Sequence, residues 1–297
     1  MSMDTIRLLL DWTLDAKHAV FVEGIKKGFY KEAGLELLIL EPAQKSSMAL
    51  ERLYREETDL VINYPHNIIL MQEQVPGVLA VGSLVQSNPE GLLSLEEQSI
   101  QSPADLKGKT IGVGPSPVSQ AQLEVFLAQN NLPRDSVQFK IVGFEGEELL
   151  LAGEIDLLDA VSYAIPRTLR KGHPVRFLSY TEYGLPDSPF LVFAARGAWA
   201  EKNQDLLSRF AGATRRGLET VKNWTPEDWN AYVEDIPTRE SGTEEQEVWR
   251  RTYPLLMEES LFQLDLGSLE NLAAILTEKG ILQNSYNLRD LFLNLLK

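Results

Sequence analysis

Residues 8–34 read LLLDWTLDAKHAVFVEGIKKGFYKEAG, and this run sets the architecture of the whole chain. An apolar strand at 6–10 passes into a polar turn carrying Asp11, Trp12, Asp15, Lys17 and His18. A helix comes next, because Val20, Phe21, Ile25 and Phe29 recur at helical spacing. The turn therefore stands at the carboxyl end of a strand and the amino end of a helix. In open α/β sheets, backbone N–H groups and functional side chains converge on ligands at that place. Trp12 offers such a crevice a flat apolar wall, and His18 offers it a ring nitrogen. The competing reading makes both of them ordinary packing residues near a strand end.

Outward from this unit the pattern repeats. Residues 36–40 form a strand, 46–57 a helix with Met48, Leu50 and Leu53 on its inner side, and 59–62 a strand. That third strand runs into Asn63-Tyr64-Pro65-His66-Asn67, followed by a helix at 68–74 and a strand at 78–85. Alternating strands and helices imply a mainly parallel sheet with right-handed crossovers, so Asn63, Tyr64 and His66 land on the same edge as Trp12. Further on, a strand at 110–113 enters Gly114-Pro115-Ser116-Pro117-Val118-Ser119. Gly114 lets backbone approach a ligand closely. Ser116 and Ser119 stand at the start of a helix at 120–129, where capping competes with ligand contact as the role of a hydroxyl. The run lacks the Gly-Lys-Ser/Thr ending of a phosphate loop.

Strands at 137–142, 157–161 and 175–178 continue the pattern, with Ser162 and Tyr163 at the end of the second and a short helix at 147–152. A helix closes at Arg170 to His173, and a strand returns at 190–194. From Trp199 the chain reads as helices at 205–224, 226–234, 243–258, 266–279 and 288–296. Thr225-Pro226-Glu227-Asp228 is a helix start with proline first and acids in the first turn. Trp224, Trp229 and Trp249 read as packing aromatics.

Asp11-Trp12-Thr13, Lys17-His18-Ala19, the apolar run after it and KKGFYKEAGL at 26–35 together resemble the NMT1/THI5-like family. That family includes bacterial binding proteins for thiamine-pyrimidine precursors and the yeast-type pyrimidine synthase. SPADLKGKTIG at 102–112 is similar to the segment that follows the first crossover in type II binding proteins. The resemblance implies an α/β, two-lobe periplasmic binding protein type II fold, with mixed, mostly parallel sheets flanked by helices and with C-terminal helices. Lobe 1 is expected from 1–87 plus 185–297, and lobe 2, inserted in it, from 88–184. Crossings at 86–90 and 180–189 would then act as the hinge of a closing cleft.

Composition narrows the function. The chain has 297 residues, too many for one comfortable core, with 44% hydrophobic and 24% charged residues. Its 28 Lys and Arg face 43 Asp and Glu, a net charge of −15. Nucleic acid needs a basic footprint and anionic lipid a polybasic patch, so neither is expected as a partner. There is no cysteine, and His18, His66 and His173 show no metal-ligand spacing, so no metal and no cofactor are expected. No run is long and apolar enough to span a membrane. The first residues, MSMDTIRLLLDW, have no basic n-region and no apolar h-region. The resemblance to secreted binding proteins, many of them lipid-anchored, leads us to expect a removed signal segment and a periplasmic or extracytoplasmic location. A cytoplasmic ligand sensor of the same fold is the alternative.

The ligand is expected where four strand-end turns meet. Trp12, Tyr64 and Tyr163 would hold a planar heterocycle, with stacking worth roughly 0.5–1.5 kcal/mol per ring pair beyond buried area. Asp11, His18, Asn63, His66, Gly114, Ser116, Ser119, Ser162 and Asp187 complete the expected contacts. Apolar walls with few polar points suit a small neutral or cationic aromatic. A dicarboxylate or phosphate would want an arginine fork, and Arg167 is the arginine near these turns. Pyrimidine binders of the family commonly carry an acidic residue in the run matching Ser162 to Arg167, and this chain does not. Other heterocycles therefore stay open. No residue pair marks acid–base chemistry and no G-x-S-x-G elbow occurs, so no enzyme is expected. In the synthase reading Lys45 and His66 would take the lysine and histidine roles, but the cysteine-rich iron motif is absent. The expected partners are an ABC permease and its ATPase, and the expected state is a monomer.

Overall fold

The computed structural model describes residues 3–40, 46–73, 76–143, 145–165, 172–235, 243–256, 261–284 and 286–292. Among the described residues ten strands form two five-stranded sheets, each the centre of one lobe. The first has the order β2-β1-β3-β10-β4, with β1 Asp4–Leu9, β2 Leu35–Leu40, β3 Leu60–Asn63, β4 Val78–Val85 and β10 Leu191–Arg196. The second has the order β7-β6-β8-β5-β9, with β5 Glu90–Leu95, β6 Thr110–Val113, β7 Gln138–Ile141, β8 Leu157–Val161 and β9 Val175–Ser179. β1 pairs parallel with β2 and β3, and β6 pairs parallel with β7 and β8. β10 is antiparallel to β3 and β4, and β5 is antiparallel to β8 and β9. Each sheet thus has one opposed strand, and in each it is the strand entered directly after the chain crosses between lobes. These are the mixed, mostly parallel sheets that the sequence implied.

Strand residues alternate between two buried faces. Leu8, Ile62 and Phe193 join a core with Phe21, Phe210 and Phe262, while Leu9, Val61 and Val192 join a second core with Ile69, Leu269 and Leu272. A period of two with both faces covered explains why these strands read as continuous apolar runs rather than alternating ones. The aromatics after Trp199 do pack together: Trp229 and Trp249 stack at 5.5 Å between ring centroids, with Trp224 and Tyr232 beside them.

Some boundaries differ from the sequence reading. β5 starts at the edge of the expected crossing and has no counterpart in that reading, because the Ser87-Asn88-Pro89 turn signal hides a strand only six residues long. The helix expected from 68 begins at Pro65, so His66 lies in its first turn. The helix expected from 120 begins at Pro117, and a short helix at Gly197–Lys202 is an addition. Of the expected 288–296 helix, Leu288–Asp290 form a 3-10 turn and Phe292 bridges to Ala80, while 293–296 fall outside the described residues. The helix end at 170–173, Arg167 and Lys45 fall wholly or partly outside the described residues.

The lobes touch. From the second, Val118 packs into the core of Leu269 and Leu272, and Glu124 Oε2 accepts a hydrogen bond from Lys279 Nζ at 2.9 Å.

Candidate functional site

The turn after β1 is held by ions rather than by loop hydrogen bonds alone. Lys17 Nζ lies 2.8 Å from Asp15 Oδ2 and 3.3 Å from Asp11 Oδ2, with all three side chains buried. Burial would raise the Asp11 carboxyl, yet the Lys17 charge and the His18 hydrogen bond together hold it below its ordinary value. Burial would likewise lower Lys17, and Asp11 and Asp15 hold it above. His18 is 0% exposed. Its Nδ1 accepts from the Asp15 N–H at 3.2 Å and its Nε2 lies 2.9 Å from Asp11 Oδ1. Both ring nitrogens are engaged inside the turn, so neither is offered to a ligand as expected. The first 3-10 turn, Ala16–His18, is closed by a capping box between Asp15 and His18, and Tyr232 donates to the Asp15 carbonyl at 2.8 Å.

Trp12, by contrast, is 47% exposed. The strand-end turn after β3 lies beside it in the same sheet, since β1 pairs with β3. Asn63 is buried, and its Oδ1 accepts from the Tyr64 N–H and from Asn67 Nδ2, both at 2.8 Å. It shapes the helix start rather than facing outward. Tyr64 stacks on His66 at 5.3 Å and meets the edge of Phe190 at 5.2 Å. Enclosure lowers His66 to about 4, so it is neutral at pH 7. Burial pushes the Tyr64 hydroxyl far up, with Asp11 and Tyr163 adding to the shift.

The second lobe closes over this edge. Lys17 Nζ sits 5.8 Å from the centroid of the Tyr163 ring, and Tyr163 packs against the first lobe's core. Ser162 opens the 3-10 turn Ser162–Ala164 that carries Tyr163. Ser116 caps the helix Pro117–Gln129 by accepting from the Val118 N–H at 3.2 Å, the structural one of its two expected roles. An added Cβ at Gly114 would meet nothing nearer than Ser119 Oγ at 4.0 Å, so packing does not demand glycine there. Asp187 stands on the return crossing. Its carboxylate accepts from Ser87 Oγ at 2.6 Å and from the Asn88 N–H at 2.8 Å, which ties the two crossings together instead of facing the ligand.

Residues not singled out from sequence also meet here. Glu90 at the start of β5, with Asn88 and Gln122, bounds a narrow recess of about 10 Å³, room for a single water molecule, that is also lined by Tyr64, His66 and Phe190. Behind it, Tyr180 donates to Asp159 Oδ1 at 2.9 Å. Burial pushes Glu90 up to about 7 against the pull of the Asn88 and Gln122 amides, and burial together with the Glu90 charge raises Asp159 well above its ordinary value. No motif marks Glu90, because what distinguishes it is the company it keeps across the crossing.

The arrangement is two opposed sets of strand-end turns closing aromatic rings over a few polar groups. Among the described residues no group of acids and histidines stands close enough to hold a metal ion. Solved structures share this fold, among them the periplasmic aliphatic sulphonate binding protein SsuA from Escherichia coli, with a TM-score of 0.77 at 17% identity over 98% of this chain and 92% of that one. The formylaminopyrimidine-binding protein of Halalkalibacterium halodurans is 25% identical over 91% of this chain and 79% of its own length. A putative thiamine biosynthesis protein of Haemophilus influenzae is 24% identical over 97% of this chain and 91% of its own. The model of the family described as NMT1/THI5 like matches residues 15–227, so the chain, a two-lobe protein of the periplasmic-binding-protein fold, belongs to that family.

Proposed function

We propose that this chain is the solute-binding component of an ABC importer and that it closes on a small planar heterocycle of the thiamine-pyrimidine type. The observation that carries the reading is that Lys17 lies against the Tyr163 ring of the second lobe and within electrostatic reach of Tyr64, which stacks on His66 in the first. A ring held there gains stacking on both sides as the lobes meet. Relatives named for formylaminopyrimidine binding and thiamine biosynthesis support the same ligand class. In this reading lobe 1 comprises 1–87 plus 185–297, lobe 2 comprises 88–184, and the hinge lies at the crossings tied by Asp187. Closure selects the form that docks on the permease, outside the cytoplasm, and no bond is made or broken. No helix among the described residues is long and apolar enough to cross a membrane.

Among the described residues the cation placed against the Tyr163 ring, Lys17, is matched by two carboxylates, which favours a neutral or protonated heterocycle over a sulfonate or phosphate ester. A thermal-shift series with hydroxymethyl- and formylamino-pyrimidines, thiamine, riboflavin and pyridoxal phosphate tests this. A ligand at about 100 times its Kd adds roughly 2.7 kcal/mol, a rise of several degrees in Tm. A response to a pyrimidine is the expected result. Silence from every pyrimidine with a response to another compound removes the thiamine link. Trp12→Ala and Tyr163→Ala should each weaken the responding ligand about fivefold or more, the equivalent of ~1 kcal/mol of lost stacking. Unchanged affinity in either variant takes that ring out of the site.

A further inference from the structure

Glu90 has a combination of features that no structural role accounts for. It stands where the chain first enters the second lobe, and its carboxyl bounds the recess that also holds Tyr64, His66 and Phe190. Among the described residues neither Glu90 nor Asp159 has an ion-pair partner, although the other acids deep in this cleft, Asp11 and Asp15, have Lys17. Asp159 is satisfied from behind by the Tyr180 hydroxyl. The Glu90 backbone is satisfied as well, its N–H donating to Asn88 Oδ1 at 2.9 Å and its carbonyl accepting from the Tyr180 N–H at 3.1 Å. The Glu90 carboxyl itself faces aromatic rings with only the neutral Asn88 and Gln122 side chains to support it. Glu90 is half-buried, and an acid removed from part of its water without a cation gains from any further hydrogen-bond donor brought to it.

We propose that Glu90 selects the ligand, pairing its carboxyl with an amidine edge, a ring nitrogen beside an exocyclic amino group, on a planar heterocycle stacked against Tyr64. The inference rests on the pyrimidine reading above and adds the atoms that are recognised. A carboxylic acid matches such an edge with two parallel hydrogen bonds, its O–H donating to the ring nitrogen and its carbonyl oxygen accepting from the amino group. The charge-reversed pair, a carboxylate against a protonated ring, has the same geometry and the same single proton. Burial, which pushes Glu90 up to about 7, keeps that proton available near neutral pH. The groups facing the carboxyl from the surrounding elements are Asp159 of β8, Tyr180 after β9, Tyr64 and His66 after β3, Asn88 of the crossing and Gln122 of the helix Pro117–Gln129. None of these described residues is a cation; burial favours the protonated pair, and the Asn88 and Gln122 amides oppose it only in part. Affinity for the amidine edge should therefore fall as pH rises past about 7.

The test is calorimetric titration of the full chain with 4-amino-5-hydroxymethyl-2-methylpyrimidine and with its counterpart lacking the amino group. The wild type should prefer the amino compound by roughly tenfold or more, because removing one partner leaves a buried polar group unpaired. Glu90→Leu should weaken the amino compound by about 30-fold and leave the other within a few-fold, so that the preference disappears. Glu90→Gln keeps one donor and one acceptor on the same edge; it should hold the amino compound near wild-type affinity at pH 7 while losing the decline at higher pH. The proposal is overturned if Glu90→Leu binds as the wild type does, if it loses both compounds alike, or if Glu90→Gln keeps the wild-type pH profile. A wild type that ignores both pyrimidines while responding to another compound in the thermal-shift series overturns the pyrimidine reading, and this proposal with it.

Discussion

Lys17→Met should lower the stability of the protein by about 3–5 kcal/mol, the usual consequence of removing one partner from a buried ion group. Lys17 is 3% exposed at its side chain and lies against Asp11 and Asp15, which are 6% and 7% exposed. Methionine fills the same volume but leaves two carboxylates enclosed without a cation. Adding Asp11→Asn and Asp15→Asn should return much of the loss, since the penalty lies in the orphaned charges rather than in the missing bond. The pH dependence comes from the directions of the shifts. Asp11 is held below its ordinary 3.8, so its contribution is present above that value and lost as pH falls through the lower folded value. Lys17 is held above its ordinary 10.5, so its contribution is complete below that value and lost only as pH rises through the higher folded one. The gap in Tm between wild type and variant should therefore be widest between about pH 5 and 9 and close below about pH 4. A gap that stays constant from pH 3 to pH 7 would show that the ions do not hold this turn.

The same turn shows what a sequence can and cannot carry. Its position was legible, because an apolar run, a polar break and a 3.6-residue period can be read locally; β1 and the start of the helix lie where that pattern puts them, but the helix ends at Lys26, with Ile25 exposed and Phe29 opening a separate short helix after Gly28. The roles of its side chains were not. His18 looks like a ligand contact until Asp11 and the Asp15 N–H are seen to take both ring nitrogens. Asp187 looks like an acceptor for a ligand, yet its partners are Ser87 and Asn88, a hundred residues back along the chain. Ser116 needed no distant partner: capping, named for it and Ser119 ahead of a helix expected at 120–129, is the role Ser116 has, on a helix that starts at Pro117. Glu90 had no local signal at all. Its character comes from Tyr64, Gln122 and Asp159, brought together only when the crossing strand pairs in the second sheet. Period and propensity are properties of neighbours in sequence, whereas the environment of a carboxyl is a property of neighbours in space.

Two substitutions in one helix should move stability in opposite directions and tie packing to the site. In Gln204–Val221 both Gly212 and Gly217 sit in helix interior, where glycine is intrinsically about 1 kcal/mol worse than alanine. A Cβ at Gly212 would meet nothing within 4 Å, so Gly212→Ala should raise Tm by about 1–2 °C. A Cβ at Gly217 would lie 2.1 Å from the Val20 carbonyl oxygen and 3.1 Å from its carbon. These are backbone atoms of the helix Ala19–Lys26, which cannot rotate aside as a side chain can. Relief requires the two helices to separate, and overpacking of this kind costs roughly 1–3 kcal/mol even after the gain in helix propensity. Gly217→Ala should accordingly lower Tm by about 2–5 °C. Because Ala19–Lys26 follows directly on the Ala16–His18 turn, any such separation drags the Lys17, Asp11 and Asp15 group out of register with Tyr163, and ligand affinity should fall along with stability. Loss of affinity in Gly217→Ala with none in Gly212→Ala would show that the distance between these two helices positions the cleft. Equal behaviour of the two variants would mean that the contact is slack and that the turn is held in place by its ions alone.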